Sequence, residues 1–162
     1  MWGGPERRPV SRASTDRATQ ERQVRKRDEK EGVERWLEDV FFALGEVTFL
    51  ALPALLSLMD AEPNVPLKYA ALFAWATLVL ATGTLRDDRV GGRWPAVSPA
   101  SVAVRFVYYN AAVLVAAYVG TAVDLSLGSP VVTAAVATLV ALTAAAAFPR
   151  LVAALGARAS TR

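Results

Sequence analysis

The chain has 162 residues, 54% of them hydrophobic, and a formal net charge of +3. Cysteine and histidine are both absent, which excludes disulfides, thiolate nucleophiles, Cys/His zinc sites, haem ligation by these residues and imidazole catalysis. Carboxylates, tyrosines and hydroxyls are left to carry any chemistry, and neither a cofactor nor a metal site is expected.

In chain order, residues 1–15 are Gly, Pro, Ser and Arg with little that is apolar, and they read as a disordered tail. No apolar stretch precedes the charged segment, so the first apolar run is expected to serve as its own insertion signal. Residues 16–39 carry Glu21/Arg25, Arg25/Glu29, Arg27/Glu31, Lys30/Glu34 and Glu31/Arg35 at i, i+4 spacing. Each such pair adds roughly 0.2–0.5 kcal/mol to a helix. The segment therefore reads as a solvated charged helix, weakened at Gly32, that runs into the apolar part. Its basic cluster, Arg22, Arg25, Lys26 and Arg27, fits contact with anionic headgroups or a soluble partner, at about 1 kcal/mol per residue near a membrane surface.

Four long apolar runs follow: 40–59, 67–85, 102–123 and 131–148. Among them they carry only Glu46, Lys68 and Arg105 as charged side chains. A helix of about 20 residues spans the roughly 30 Å hydrocarbon core of a bilayer. The expected fold is therefore all-α: a polytopic membrane protein with four transmembrane helices arranged as two antiparallel hairpins. The membrane domain covers residues 40–155, with a disordered end over 156–162. Pro63, Pro66 and Pro130 stand where helices start, Arg86 to Pro95 is rich in turn residues, and Pro149 is expected to close the fourth run. Leu151–Leu155 add an interfacial turn. Trp36 and Trp94 are placed as interfacial anchors.

Lys and Arg alternate by segment. Ten precede the first run, none lies between Asp60 and Pro66, Arg86, Arg89 and Arg93 follow the second run, none falls between Asp124 and Pro130, and Arg150, Arg158 and Arg162 close the chain. Basic residues near span ends stay on the cytoplasmic side. Both termini and the middle connection are thus expected to be cytoplasmic, in the plasma membrane. This alternation accounts for the basic residues, so no nucleic-acid partner is expected. The ratio of 15 Arg to 3 Lys, with abundant Ala and Val, fits a GC-rich prokaryotic coding sequence.

Within the first run, Asp39, Glu46, Pro53 and Asp60 recur every seven residues, a spacing that drifts only about 20° per step on a helix. Pro53 frees the carbonyl of Phe49. Glu46 lies about 9 Å into the run; an ionisable group there should face protein or water. Burial favours its neutral form unless a cation is near, and Arg105 and Asn110 are the candidate partners. Arg105, Tyr108 and Tyr109 otherwise read as an interfacial anchor, the arginine snorkelling outward. Asn110, Ala117, Thr121 and Asp124 repeat the spacing of Glu46, Pro53, Ser57 and Asp60 at an offset of 64 residues. A tandem duplication of a hairpin and simple compositional likeness both account for that. Ala134, Ala137, Ala141, Ala144 and Ala145 in the fourth run, and Ala70, Ala74, Thr77, Ala81 and Thr84 in the second, offer small faces for close helix contact.

No phosphate-binding loop, zinc-helix pair or nucleophile elbow is present, so the chain is not expected to be an enzyme. Two functions remain. One is a non-catalytic accessory or scaffold subunit of a membrane complex, which would tolerate Glu46→Gln and respond to loss of the tail. The other is a small oligomeric transporter coupled to protons or cations through Glu46. The lipid bilayer is the expected partner, with a second copy or another membrane subunit beside it.

Overall fold

The computed structural model describes residues 32–86, 94–95 and 98–159. Arg22, Arg25, Lys26 and Arg27 lie outside the described residues, as does most of the charged segment expected over 16–39. Val33–Arg162 forms one packed unit, with every element among its described residues helical. These are α1 (Val33–Leu50), α2 (Leu52–Met59), α3 (Asn64–Arg86), α4 (Pro99–Leu127) and α5 (Pro130–Ala159). Gly32 takes a φ of 68° just ahead of α1, the left-handed region open to glycine.

α3 and α4 form the middle of the bundle. Each packs against α1, α2, α5 and the other, whereas α5 touches only α3 and α4. The buried faces are built from small side chains. Ala70, Ala74, Ala112, Ala116, Ala117, Ala137 and Ala141 are all buried, while Phe41, Phe49, Val107, Val115 and Leu139 are more than half exposed. A chain that hides alanines and turns large apolar groups outward has the partition of a helix bundle in lipid. Three helices, α3, α4 and α5, are long and apolar enough to cross a membrane, or four if α1 and α2 count as one broken span.

That break departs from the continuous first span expected over 40–59. α1 and α2 meet at Ala51 with a bend of 61°. Pro53 cannot donate to the carbonyl of Phe49, and its ring crowds the preceding turn, which is where a helix yields. The helix expected to end at Pro149 instead runs through it to Ala159. Only one backbone bond is lost there, and the hydroxyl of Tyr108 donates to the nearby Ala144 carbonyl at 2.8 Å. α4 starts on a capping box between Ser98 and Ser101 and ends on Gly128, whose φ is 60°. Asp124 accepts from the Thr133 hydroxyl at 2.7 Å, tying the end of α4 to the start of α5. α4 runs unbroken through Ala117, so the position matching Pro53 at the 64-residue offset has no matching bend.

Two glycines set how closely the helices approach. A Cβ on Gly83 of α3 would meet Val40 Cα of α1 at 2.7 Å, and one on Gly120 of α4 would meet Ala70 Cβ of α3 at 2.9 Å. Both contacts involve atoms that cannot swing away. Gly83→Val should therefore force α1 off α3 and destabilise the bundle by about 1–3 kcal/mol. Gly45→Ala, with nothing within 4 Å of the new Cβ, should be neutral or slightly stabilising. Thermal unfolding of the two variants beside the parent protein in a mild detergent reads the difference.

Candidate functional site

Glu46 sits four turns into α1, on the face turned to α3 and α4, and is about 16% exposed at its side chain. Arg105 Nη1 donates to its Oε2 at 3.0 Å. The hydroxyl of Tyr109, one turn further along α4, donates to Oε1 at 2.9 Å. Arg86 Nη2, at the end of α3, also donates to Oε2. One carboxylate thus joins three helices, and both of its oxygens are engaged.

The site is closed from the side of Trp94. Arg105 Nη2 donates to the Pro95 carbonyl at 2.5 Å, and the Trp94 ring lies 5.8 Å from the Arg105 guanidinium and 6.0 Å from that of Arg86. These are cation–π distances. Phe148 of α5 completes the packing, its ring 5.4 Å from Trp94, 5.1 Å from Tyr108 and 5.9 Å from Tyr109. Arg105 is 1% exposed and Phe148 is fully buried. Arg86 Nε, Arg105 Nε and Trp94 Nε1 are buried without an acceptor, and the hydroxyl of Thr82 is buried without a partner.

Of the residues named from sequence, Glu46 and Arg105 meet as expected, and Asn110 does not join them. Arg105 and Tyr109 are inward ligands of the carboxylate rather than an interfacial anchor, because the i, i+4 spacing puts them on the buried face of α4 with Ser101 and Ala112. Trp94 likewise covers the two arginines instead of standing apart as an anchor. Trp36 donates to Thr84 Oγ1 at 3.1 Å, fixing α1 to α3. Arg86, read from sequence only as the first residue of a basic connection, belongs to the site. Its sequence position, one of three arginines after the second apolar run, gave no sign of that.

Asn110 does a different job. In a continuous helix the Ala54 amide would donate to the Leu50 carbonyl. Here the Asn110 carboxamide stands between them, accepting from Ala54 N at 2.8 Å and donating to Leu50 O at 2.7 Å. Nδ2 also donates to Phe106 O in its own helix at 2.6 Å. The side chain thus stands in for the missing turn, so the break carries no orphaned pair at that step. Unpaired backbone groups of this kind cost about 1–3 kcal/mol each when buried.

Chemically, the arrangement links three helices through one carboxylate. Among the described residues no group of three or more acidic side chains comes together as metal ligands would. Two guanidiniums beside the single carboxylate would repel a metal ion. A family model described as a domain of unknown function (DUF8215) matches residues 30–155, and the chain belongs to that family. No curated protein and no solved structure matches it.

Replacing Asn110 by Leu should let the Leu50–Ala54 bond re-form and α1 and α2 straighten in part, down to the kink that Pro53 alone imposes. The chain has no cysteine of its own, so spin labels at Phe41 and Met59, both exposed, report that bend directly. Straightening should lengthen the label distance by about 3 Å, at a rise of roughly 1.5 Å per residue.

Proposed function

We propose that this DUF8215 chain is a four-span protein of the plasma membrane, with both termini cytoplasmic, that acts as a non-catalytic scaffold or accessory subunit. The observation that carries the reading is the state of Glu46. A carboxyl group that takes up and releases protons or cations needs a free oxygen and a route to it. Both oxygens of Glu46 are occupied, and the donors around them come from two neighbouring helices, α3 and α4. Such an arrangement fixes packing and gives little to a passing ion.

The alternation of Lys and Arg supports the orientation. It puts the Arg86–Trp94 end of the bundle on the cytoplasmic side, the side that Arg22, Arg25, Lys26 and Arg27 are also expected to occupy from the same rule. In this reading α1 and α2 together make the first span, and the prokaryotic plasma membrane suits the Ala-, Val- and Arg-rich composition.

The geometry also changes what Glu46→Gln should do. A neutral amide leaves two guanidiniums without a counter-charge, so tolerance is no longer the expectation. Removing one partner of a buried ion pair costs about 3–5 kcal/mol, and both Glu46→Gln and Glu46→Ala should lower the unfolding temperature in detergent. The function itself is tested by mass analysis of the intact complex after mild-detergent purification. A specific co-purifying protein, lost on deletion of residues 1–31, is the expected result. A homo-oligomer without partners, carrying a pH-driven flux in proteoliposomes that stably folded Glu46→Gln protein lacks, would establish the transporter instead.

A further inference from the structure

The bend between α1 and α2 has a second product. Where α2 leans away, an open cleft of about 310 Å³ lies between α2 and α3, at the lower end of the range for ligand pockets. Leu52, Leu56 and Met59 line it from α2, and Lys68, Leu72 and Trp75 from α3. Lys68 is its one charged lining residue.

The placement of that lysine is informative. α3 starts at Asn64, so Lys68 stands one turn in from the end, and Trp75 is about 10 Å further along the axis. The cleft therefore has a cation at its outer end and an apolar floor running inward from it. Arg35, Arg86, Arg105 and Arg150 all lie toward the opposite ends of their helices, so Lys68 is the only basic residue at this end among the described residues. No described residue pairs with it. Glu62, close by in sequence, accepts instead from the Asn64 amide at 2.7 Å. Leu72 and Leu56 remain more than half exposed.

We propose that this cleft binds an acyl chain of an anionic phospholipid, with the lipid phosphate on Lys68 and the chain lying along Leu72 toward Trp75. The polarity of the groove matches such a molecule in order and direction: charge at the membrane surface, hydrocarbon beneath it. A zwitterionic lipid would bring a cationic group to Lys68 together with its phosphate, so a net anionic headgroup is the better match. A helix from another protein would need an acid placed at one end of an otherwise apolar face. The wider cleft between α4 and α5, about 460 Å³, lined by Ala103, Val107, Tyr108 and Leu151 among others, has no charged lining residue and so nothing to select a headgroup. The proposal rests on insertion of the chain in a membrane and not on the scaffold role.

The test uses the full chain purified in mild detergent and offered equal amounts of phosphatidylglycerol and phosphatidylcholine, with native mass analysis of the bound species. One phosphatidylglycerol should be retained with about fivefold preference, the effect of one lysine at an anionic surface. Lys68→Gln should abolish the preference. Leu72→Trp, a change at an exposed position, should displace the selected lipid without lowering the unfolding temperature. Equal retention of both lipids by the parent protein, or a preference that survives Lys68→Gln, overturns the proposal. So does a dimer that cross-links through Leu56 and Leu72, since a second copy would then fill the cleft. A chain recovered in solution without detergent overturns it together with the membrane reading.

Discussion

Everything in the bundle is arranged around one carboxylate that cannot be left alone. Glu46 lies on an apolar helix and is held by Arg105, Arg86 and Tyr109. Transfer of such a group away from water costs several kcal/mol unless it is paired and hydrogen-bonded. Its partners come from the end of one helix and two successive turns of another, so meeting that requirement fixes the azimuth of α4 and the height of α3 relative to α1. Phe148 then has only one place to pack, against the rings that surround the arginines, and this brings in α5. Alanine-rich faces alone would allow several registers, since one small side chain substitutes for another. The ion cluster removes that freedom.

The same logic governs the middle of the first apolar run. Proline at position 53 deprives the helix of a donor, and the helix bends by 61° rather than leaving groups unpaired at random. Asn110 makes the bend tolerable by taking the place of a backbone pair. Irregular backbone in apolar surroundings persists only where protein atoms satisfy it, and an amide side chain is well suited, because it donates and accepts as a peptide does. Glu46 and Asn110 are therefore two solutions to one problem. One is a polar side chain that needs partners, the other a polar side chain that is the partner. The helices between them are free to be almost wholly apolar.

The sequence made the helices, their approximate ends and the suspect carboxylate legible, because length, apolar content and a lone charge are one-dimensional signals. It also made Pro53 legible as a weak point. The size and direction of the bend were not, since they depend on Asn110 reaching across from a helix 56 residues away. Arg105 and Tyr109 were visible as residues but assigned outward, because snorkelling is the default for a cation near a helix end and their shared buried face shows only once α4 has an orientation. Arg86 was hidden by its neighbours: three arginines in one connection look alike until one of them lies within reach of a carboxylate. The passage of α5 through Pro149 was equally out of reach, as a proline stop and a proline within a helix differ only in what packs beside it.

These features bear on where function can reside. The polar groups inside the bundle are largely committed to one another: Glu46 to its arginines, Asn110 to the break, Asp124 to Thr133, Trp75 to Thr48 at 3.2 Å. The unpaired donors at Arg86, Arg105 and Trp94 are surplus hydrogens in a cationic cluster, and the Thr82 hydroxyl is likewise buried without a partner. Among the described residues, the exposed apolar faces and the groove beside Lys68 lie on the outside. A packed interior that holds those surfaces in place is what the proposed scaffold role would require.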